Sequence, residues 1–366
     1  MNDSAPILFC GPIPLPGDAP AGGYEACNSR TIAALRAAGD AVQELRYPQP
    51  RGGAAAKLKG YWRGFGALLS EIGRQRAGGL LHVTGLYKQF VIAEWLLLRR
   101  ARRQGLATIY DVRAGSMLKH YARLGPLYRW LFRQTLRSAD LVMIEGMEYA
   151  PFVEAQTGRR PFYLPNHVGL AAAAGADGRA AAAQPRLIYV GRVTVEKGIE
   201  TALQAARLLA REGLPCTIAI AGPGDAALLE RLRAEYTDVA VEWLGSLQAS
   251  EVLAQFGRSH FFMFPTRHPG EGHSNALTEA MATGCVPVAA DNGFNRSVID
   301  AAGRVLPLAA DAGAYAQAVR ELWQADGRWA ATSALAARRA RELFSTEQVI
   351  ARLQGAYAQL LKDSKR

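Results

Sequence analysis

Short strand-like runs, most of them apolar, recur along the chain, and stretches of helical periodicity separate nearly every pair of them. "APILFCG", "VQELRY", "GLLHVTG", "LATIYD", "DLVMIE" and "PFYLPN" punctuate the first half. "RLIYVG", "CTIAIAG", "VAVEWLG", "HFFMFPT" and "VPVAAD" punctuate the second. Runs this short suit strands buried on both faces, and strands alternating with helices imply parallel sheets built from right-handed βαβ units. The helices are expected over Glu25–Ala38, Tyr61–Arg76, Lys88–Arg103 and Leu118–Arg137 in the first half. In the second they are expected over Ile199–Glu212, Ala226–Tyr236, Ser250–Phe256 and Asn275–Thr283, with three more between Asp311 and Lys362.

Between the halves lies "AAAAGADGRAAAAQP", Ala171 to Pro185, with no apolar side chain larger than alanine. It has nothing to build a core with and reads as a linker. A length of 366 residues suits two domains. The ligand of such an α/β pair is expected where strand carboxyl ends face the cleft between the halves.

The start of the chain lacks a secretory pattern, since Asn2 and Asp3 replace a basic opening and four prolines follow by position 16. No apolar stretch reaches the ~18 residues of a membrane span. Cys10, Cys27, Cys216 and Cys285 are scattered without CxxC spacing. They read as buried reduced thiols of a cytosolic protein rather than metal ligands. Charge is unevenly divided: residues 1–166 hold 22 Lys and Arg against 12 Asp and Glu, whereas residues 167–366 hold 21 against 20. The basic half is therefore expected to face something anionic. The competing explanation is a solvated arginine-rich surface.

"RHPGEGHSN" follows the buried run "HFFMFPT" and precedes a helix opened by Ser274 or Asn275, both good N-cap residues. Helix N-termini bind anions, and Gly272 lets a ligand approach the backbone. Glu271 thus sits beside an anion site, with Glu279 on the first turns of the helix. A carboxylate there cannot bind phosphate, but it can accept hydrogen bonds from sugar hydroxyls. A second cationic loop follows another strand: in "YVGRVTVEKGIE", Gly191 precedes Arg192, and Lys197 opens the next helix. Two cations around one tight turn suit a diphosphate.

These residues resemble the retaining glycosyltransferases of family 4, which have the GT-B fold. The resemblance rests on "EGHSNALTEAMATGCVPV", an E-x7-E motif, on "GRVTVEKG", and on "VEWLG" at the usual nucleobase position. In the first half "GGYEACNSR" resembles the family's first glycine loop and "YDVRAG" its acceptor-side D-x-R-G variant. The resemblance implies an α/β fold of two Rossmann-like domains facing across a cleft, with C-terminal helices. An acceptor domain would span residues 1–168, a linker 169–185 and a donor domain 186–343, and a C-terminal segment 344–366 would pack back on the first domain.

It also implies roles. Arg192 and Lys197 would hold the donor diphosphate, Glu279 the ribose hydroxyls and Glu271 the donor sugar. The backbone at Gly272, His273, Ser274 and Asn275 would cap the phosphates, Gly191 and Gly245 would line the donor site, and Gly22 and Gly23 would close from the other domain. Asp111 would serve the acceptor side, with Arg113 and His120 as further candidates there. His273–Ser274 stands where Phe-Gly is commoner, and Arg296 lies near the position of a usual glutamate, which leaves the sugar open.

The implied activity is transfer of a sugar from a UDP or GDP sugar to a hydroxyl of a glycan or lipid-linked glycan, with retention and no metal or other cofactor. The implied setting is bacterial surface polysaccharide synthesis at the inner face of the cell membrane. "LLLRRARRQ", with Arg99, Arg100, Arg102 and Arg103, and a second cluster of Lys57, Lys59 and Arg63 would meet anionic lipid. A nucleotide-sugar epimerase of the same fold would share the donor residues. A nucleic-acid-binding protein would use the basic half, although no nucleic-acid recognition motif is present and nucleic acid is not an expected partner. Taken singly, the residues have plainer explanations: Asp111 as a helix cap, His120 as a surface or core histidine, His82 as a core residue and His167 as a hinge residue.

Overall fold

A computed structural model describes residues 6–18, 20, 22–113, 115–169 and 182–364. Most of the expected linker, 170–181, lies outside them. The backbone divides into two units, Met1–Pro165 with Val349–Arg366, and Asn166–Gln348.

The first unit is a six-stranded parallel sheet in the order β2-β1-β3-β4-β5-β6. Its strands are β1 (Ile7–Gly11), β2 (Val42–Arg46), β3 (Leu80–Gly85), β4 (Ala107–Val112), β5 (Leu141–Ile144) and β6 (Phe162–Tyr163). Helix α1 (Gly23–Ala37) joins β1 to β2, α2 (Ala54–Gly73) joins β2 to β3, and α3 (Val91–Arg103) joins β3 to β4. Between β4 and β5 come α4 (Met117–Arg123) and α5 (Pro126–Ser138), and α6 (Ala150–Thr157) precedes β6.

The single helix expected over Leu118–Arg137 is broken at Leu124–Gly125, with Pro126 opening the second piece. Proline is accommodated at the first helical position and disrupts an interior one. Helix α2 starts seven residues before the expected Tyr61. Its residues 54–59 are all exposed, so they carry no inward apolar stripe to announce them, and Ala, Lys and Leu hold the helix by propensity.

The second unit has the order β12-β11-β10-β7-β8-β9, again all parallel. These strands are β7 (Arg186–Val190), β8 (Thr217–Ala221), β9 (Ala240–Gly245), β10 (Phe261–Phe264), β11 (Val286–Ala290) and β12 (Arg304–Leu306). Helices α7 (Ile199–Arg211), α8 (Ala226–Glu235), α9 (Ala249–Arg258), α10 (Asn275–Ala282) and α11 (Asn295–Ile299) connect them in turn, and α12 (Ala312–Gln324), α13 (Arg328–Arg339) and α14 (Thr346–Asp363) follow. β12 and α11 have no counterpart in the expected pattern, being too short to show a period.

The division between units differs from the expected boundaries at 168 and 344. Val168 N–H donates to the Phe344 carbonyl at 2.9 Å and Thr346 N–H to the Val168 carbonyl at 3.0 Å. His167 Nδ1 lies 3.0 Å from Thr346 Oγ1. These bonds keep residues 166–168 and 344–348 in the second unit. Beyond them, Val349, Ile350, Leu353 and Tyr357 of α14 join Phe9, Ile32, Leu35 and Ile109 in the core of the first. All four cysteines are buried and none forms a disulfide. Among the described residues, no helix is long and apolar enough to cross a membrane.

Candidate active site

Strands β11, β10 and β7 are neighbours in the second sheet, so the loops at their carboxyl ends lie side by side. The loop after β7 carries Gly191, Arg192 and Lys197, the loop after β10 runs from Pro265 to Ser274, and the loop after β11 contains Asn292 and Gly293. The two motifs read separately from the sequence meet here. Lys197 Nζ lies 2.7 Å from Glu271 Oε2, and Thr266 Oγ1 donates to the same oxygen at 2.7 Å.

Glu271 is 8% exposed, so its charge needs these two partners, because a buried unpaired carboxylate is costly. Its other oxygen, Oε1, makes no hydrogen bond among the described residues. Arg192 is exposed, and its guanidinium forms no ion pair among them. Of the two cations in the loop after β7, Lys197 is thus neutralised and Arg192 is available.

Two residues that the sequence reading missed fix this arrangement. Asn292 Nδ2 donates to the carbonyls of Thr266 at 3.1 Å and His268 at 2.9 Å, pinning the start of the Glu271 loop. Gly293, at φ +60°, lies so close that a Cβ would come within 2.4 Å of the Glu271 carbonyl. A lone Asn-Gly reads as a turn and nothing more. Thr266, likewise, was visible only as a strand-end residue.

Ser274 is the N-cap of α10, with extended backbone and no side-chain capping bond. Asn275 follows, and its Oδ1 is buried with no hydrogen-bond partner among the described residues. The first backbone N–H groups of α10 and the side chains of Ser274 and Asn275 therefore remain the available anion-binding groups of this end. Gly272 and Glu279 are half-buried on either side of them.

The side chain of His273 is occupied within the unit. Its Nδ1 accepts from Asn166 N–H at 3.2 Å, and its Nε2 lies 2.7 Å from Thr278 Oγ1. Asn166 Nδ2 also donates to the His273 carbonyl at 2.7 Å. Both ring nitrogens are engaged inside the unit. The side chain, 5% exposed, ties the loop to residue 166 rather than presenting itself to a ligand.

Gly191 and Gly245 end β7 and β9 and are joined through Gly222. Gly191 N–H donates to the Ala221 carbonyl at 2.9 Å, and Gly222 N–H to the Gly245 carbonyl at 2.7 Å. A Cβ on Gly222 would lie 1.9 Å from the Gly191 carbonyl, so only glycine fits there.

In the first unit the candidates divide. Gly22 and Gly23 form the exposed start of α1, where an added Cβ would meet nothing. Asp111 is fully buried. Arg113 Nε donates to its Oδ2 at 2.5 Å, and His82 Nε2 lies 3.3 Å from the same oxygen. Tyr357 Oη lies 2.7 Å from His82 Nδ1. Burial acts to raise the Asp111 pKa, but the Arg113 charge and the His82 bond outweigh it and hold the carboxyl below the usual range. Burial lowers the His82 pKa despite Asp111, so the ring is neutral.

Neutral His82 donates from Nε2 to Asp111 and accepts the Tyr357 hydroxyl proton at Nδ1. Arg113 is also buried, with Nη1 2.6 Å from Cys27 Sγ. Asp111 and Arg113 thus form the charged centre of a core, and neither has the exposed surface an acceptor base or clamp needs. His120 is half-buried and lies edge-on to Tyr87 and Tyr128 at 5.4 and 5.3 Å. Burial, then Lys88 and Arg123, lower its pKa.

Residues 184–325 match the family model for glycosyl transferases group 1. No curated protein sequence matches the chain. Several solved structures share its architecture. Sucrose-phosphate synthase from Thermosynechococcus elongatus superposes with a TM-score of 0.74 at 19% identity, over 98% of this chain and 100% of that one. HepE of Anabaena, solved in complex with UDP, gives 0.71 at 14% identity, over 97% and 100%. A glycosyltransferase from Rickettsia africae gives 0.71 at 11% identity, over 98% and 99%. With its two parallel six-stranded sheets the chain has the GT-B fold, and the match over residues 184–325 supports a group 1 glycosyltransferase.

Proposed function

We propose that the protein transfers a glycosyl group from a nucleoside diphosphate sugar to an acceptor hydroxyl with retention of configuration. The observation that carries this reading is the contact of Lys197 with Glu271, which unites a cationic strand-end loop with a helix N-terminus at the ends of adjacent strands. Arg192, Lys197 and the first N–H groups of α10 would hold the leaving diphosphate, supplying charge where it develops in the transition state. Glu271 would use Oε1 for a hydroxyl of the donor sugar while Oε2 keeps Lys197 in place. Glu279 would accept from the ribose.

Among the described residues no side chain is placed as a covalent nucleophile, so the incoming hydroxyl would attack on the face the diphosphate leaves, giving up its proton to a phosphate oxygen. The UDP held by HepE favours a uridine donor, with GDP sugars second. The basic first half favours a glycan or lipid-linked glycan acceptor presented at an anionic inner membrane face, as in surface polysaccharide assembly.

Calorimetry and donor hydrolysis across UDP-, GDP- and ADP-sugars test the proposal. Binding of one nucleotide class with slow release of its sugar is expected. Absence of binding by all three classes would overturn it.

A further inference from the structure

Helices α2, α3 and α5 lie side by side on one face of the first sheet, and each exposes large apolar side chains in its first turns. Leu58 and Trp62 on α2 are 73% and 83% exposed, Ile92 and Leu96 on α3 are 52% and 41%, and Leu127 and Trp130 on α5 are 70% and 45%. Each pair is spaced three or four residues apart and so shares one helical stripe. Single exposed apolar residues need no explanation, but a contiguous set does. Each of these helices runs back from the strand carboxyl ends, so the three pairs gather at that end of the sheet, where parallel α/β domains place their ligands.

The charge around the six residues is one-sided. Lys57, Lys59 and Arg63 are exposed beside Leu58 and Trp62. The three helices contain two acids: Glu94 is fully buried, and Glu71 is half-buried and paired with Arg74. The basic cluster at the far end of α3 is partly committed inside the unit. Arg100 packs over Gly73, Arg102 reaches the Ser138 carbonyl and Asp140, and Arg99 lies 4.9 Å above the Trp95 ring.

We propose that this apolar crown inserts into the interfacial region of an anionic lipid bilayer, with Trp62 and Trp130 at headgroup depth and Lys57, Lys59 and Arg63 on the lipid phosphates. Indole rings favour that depth, and lysine and arginine extend their stems along apolar surface while keeping their charge in the headgroups. A second copy of the chain fits less well, because a two-fold interface would set this cationic face against itself. Attachment therefore runs through the first turns of α2, α3 and α5 rather than through Arg99–Arg103.

The test uses the intact protein with vesicles of phosphatidylglycerol and phosphatidylcholine, some carrying brominated acyl chains, and needs neither donor nor acceptor. Tryptophan emission is expected to shift to the blue and be quenched by the brominated chains. Leu58→Ser with Trp62→Ser, which leaves every charge in place, should weaken partitioning about tenfold or more. Reversal of Arg99 and Arg103 to glutamate should weaken it less. Unquenched emission, undiminished binding of the double serine variant, or a dimer that masks these residues from the vesicles would each overturn the proposal. Nucleotide affinity of the same variant, measured without lipid, reports on the donor half separately. Absence of nucleotide binding by the wild type would refute glycosyl transfer and leave this surface standing.

Discussion

Lys197 Nζ and Glu271 Oε2 stand 2.7 Å apart, although 74 residues of chain separate them. The pair is largely shielded from solvent, so it fixes the two donor loops in register and at the same time removes one positive charge from the site. Arg192, exposed and outside the pair, is the cation with its full charge available.

That division separates two alanine variants which the sequence alone treats as equivalent. Arg192→Ala and Lys197→Ala should each lower kcat by about 10²–10³, the scale for losing a transition-state charge stabiliser. Only Lys197→Ala should also destabilise the fold, by about 3 kcal/mol, because it leaves Glu271 buried without its counter-charge. Thermal unfolding beside steady-state turnover checks both. Equal stabilities for the two variants would show that the pair contributes nothing to the fold.

Glu271→Gln and Glu279→Gln should differ in what they bind. With Glu279 on the ribose, its amide variant should lose free nucleoside diphosphate and intact donor to the same degree, by about tenfold for a charge-assisted hydrogen bond. Glu271→Gln should weaken the intact donor more than the free nucleotide, since one oxygen is assigned to the sugar. Calorimetry with both ligands on both variants decides. Parallel losses in all four titrations would remove the distinction.

His273 occupies a motif position whose backbone is expected to cap phosphate, and its ring is engaged by Asn166 and Thr278. His273→Ala should cost about 1–3 kcal/mol of stability, as a buried N–H and a hydroxyl lose their partners. Nucleotide affinity of the folded variant should stay near that of wild type. A large affinity loss without a fall in melting temperature would return His273 to the ligand.

Much of this was legible in the residues, for reasons that differ by element. Strands such as "HFFMFPT" and "CTIAIAG" announce themselves because both faces are buried, whereas the break before Pro126 was hidden inside a helical period that runs on through it. The E-x7-E segment and "GRVTVEK" show chemistry because charge clusters beside glycine at strand ends. Asn292, Thr266 and the orientation of His273 were not legible, since their partners lie in other loops and a single polar residue carries no period. Asp111 and Arg113 misled for a related reason: a D-x-R at a strand end has the same spelling whether the pair faces a ligand or closes over a core.

The buried group of Asp111, Arg113 and His82 makes stability depend on pH in a defined direction. The folded-state pKa of Asp111 lies below its ordinary value of about 3.9. Its contribution is therefore complete above that value and is lost as pH falls through the lowered folded value. The His82 pKa also lies below its ordinary value of about 6.5. Below pH ~6.5 the unfolded state takes up a proton the folded ring refuses, so stability declines as pH falls. Unfolding free energy should thus begin to drop below neutrality and drop further below pH ~4. His82→Gln, uncharged throughout and able to donate to Asp111, should flatten the upper part of that decline. Asp111→Asn should cost about 3–5 kcal/mol near neutral pH by removing the buried carboxylate that Arg113 Nε and His82 Nε2 bind. Chemical denaturation at a series of pH values measures all three. A wild-type profile that is flat between pH ~7 and ~4 would show that His82 is not held neutral in the fold.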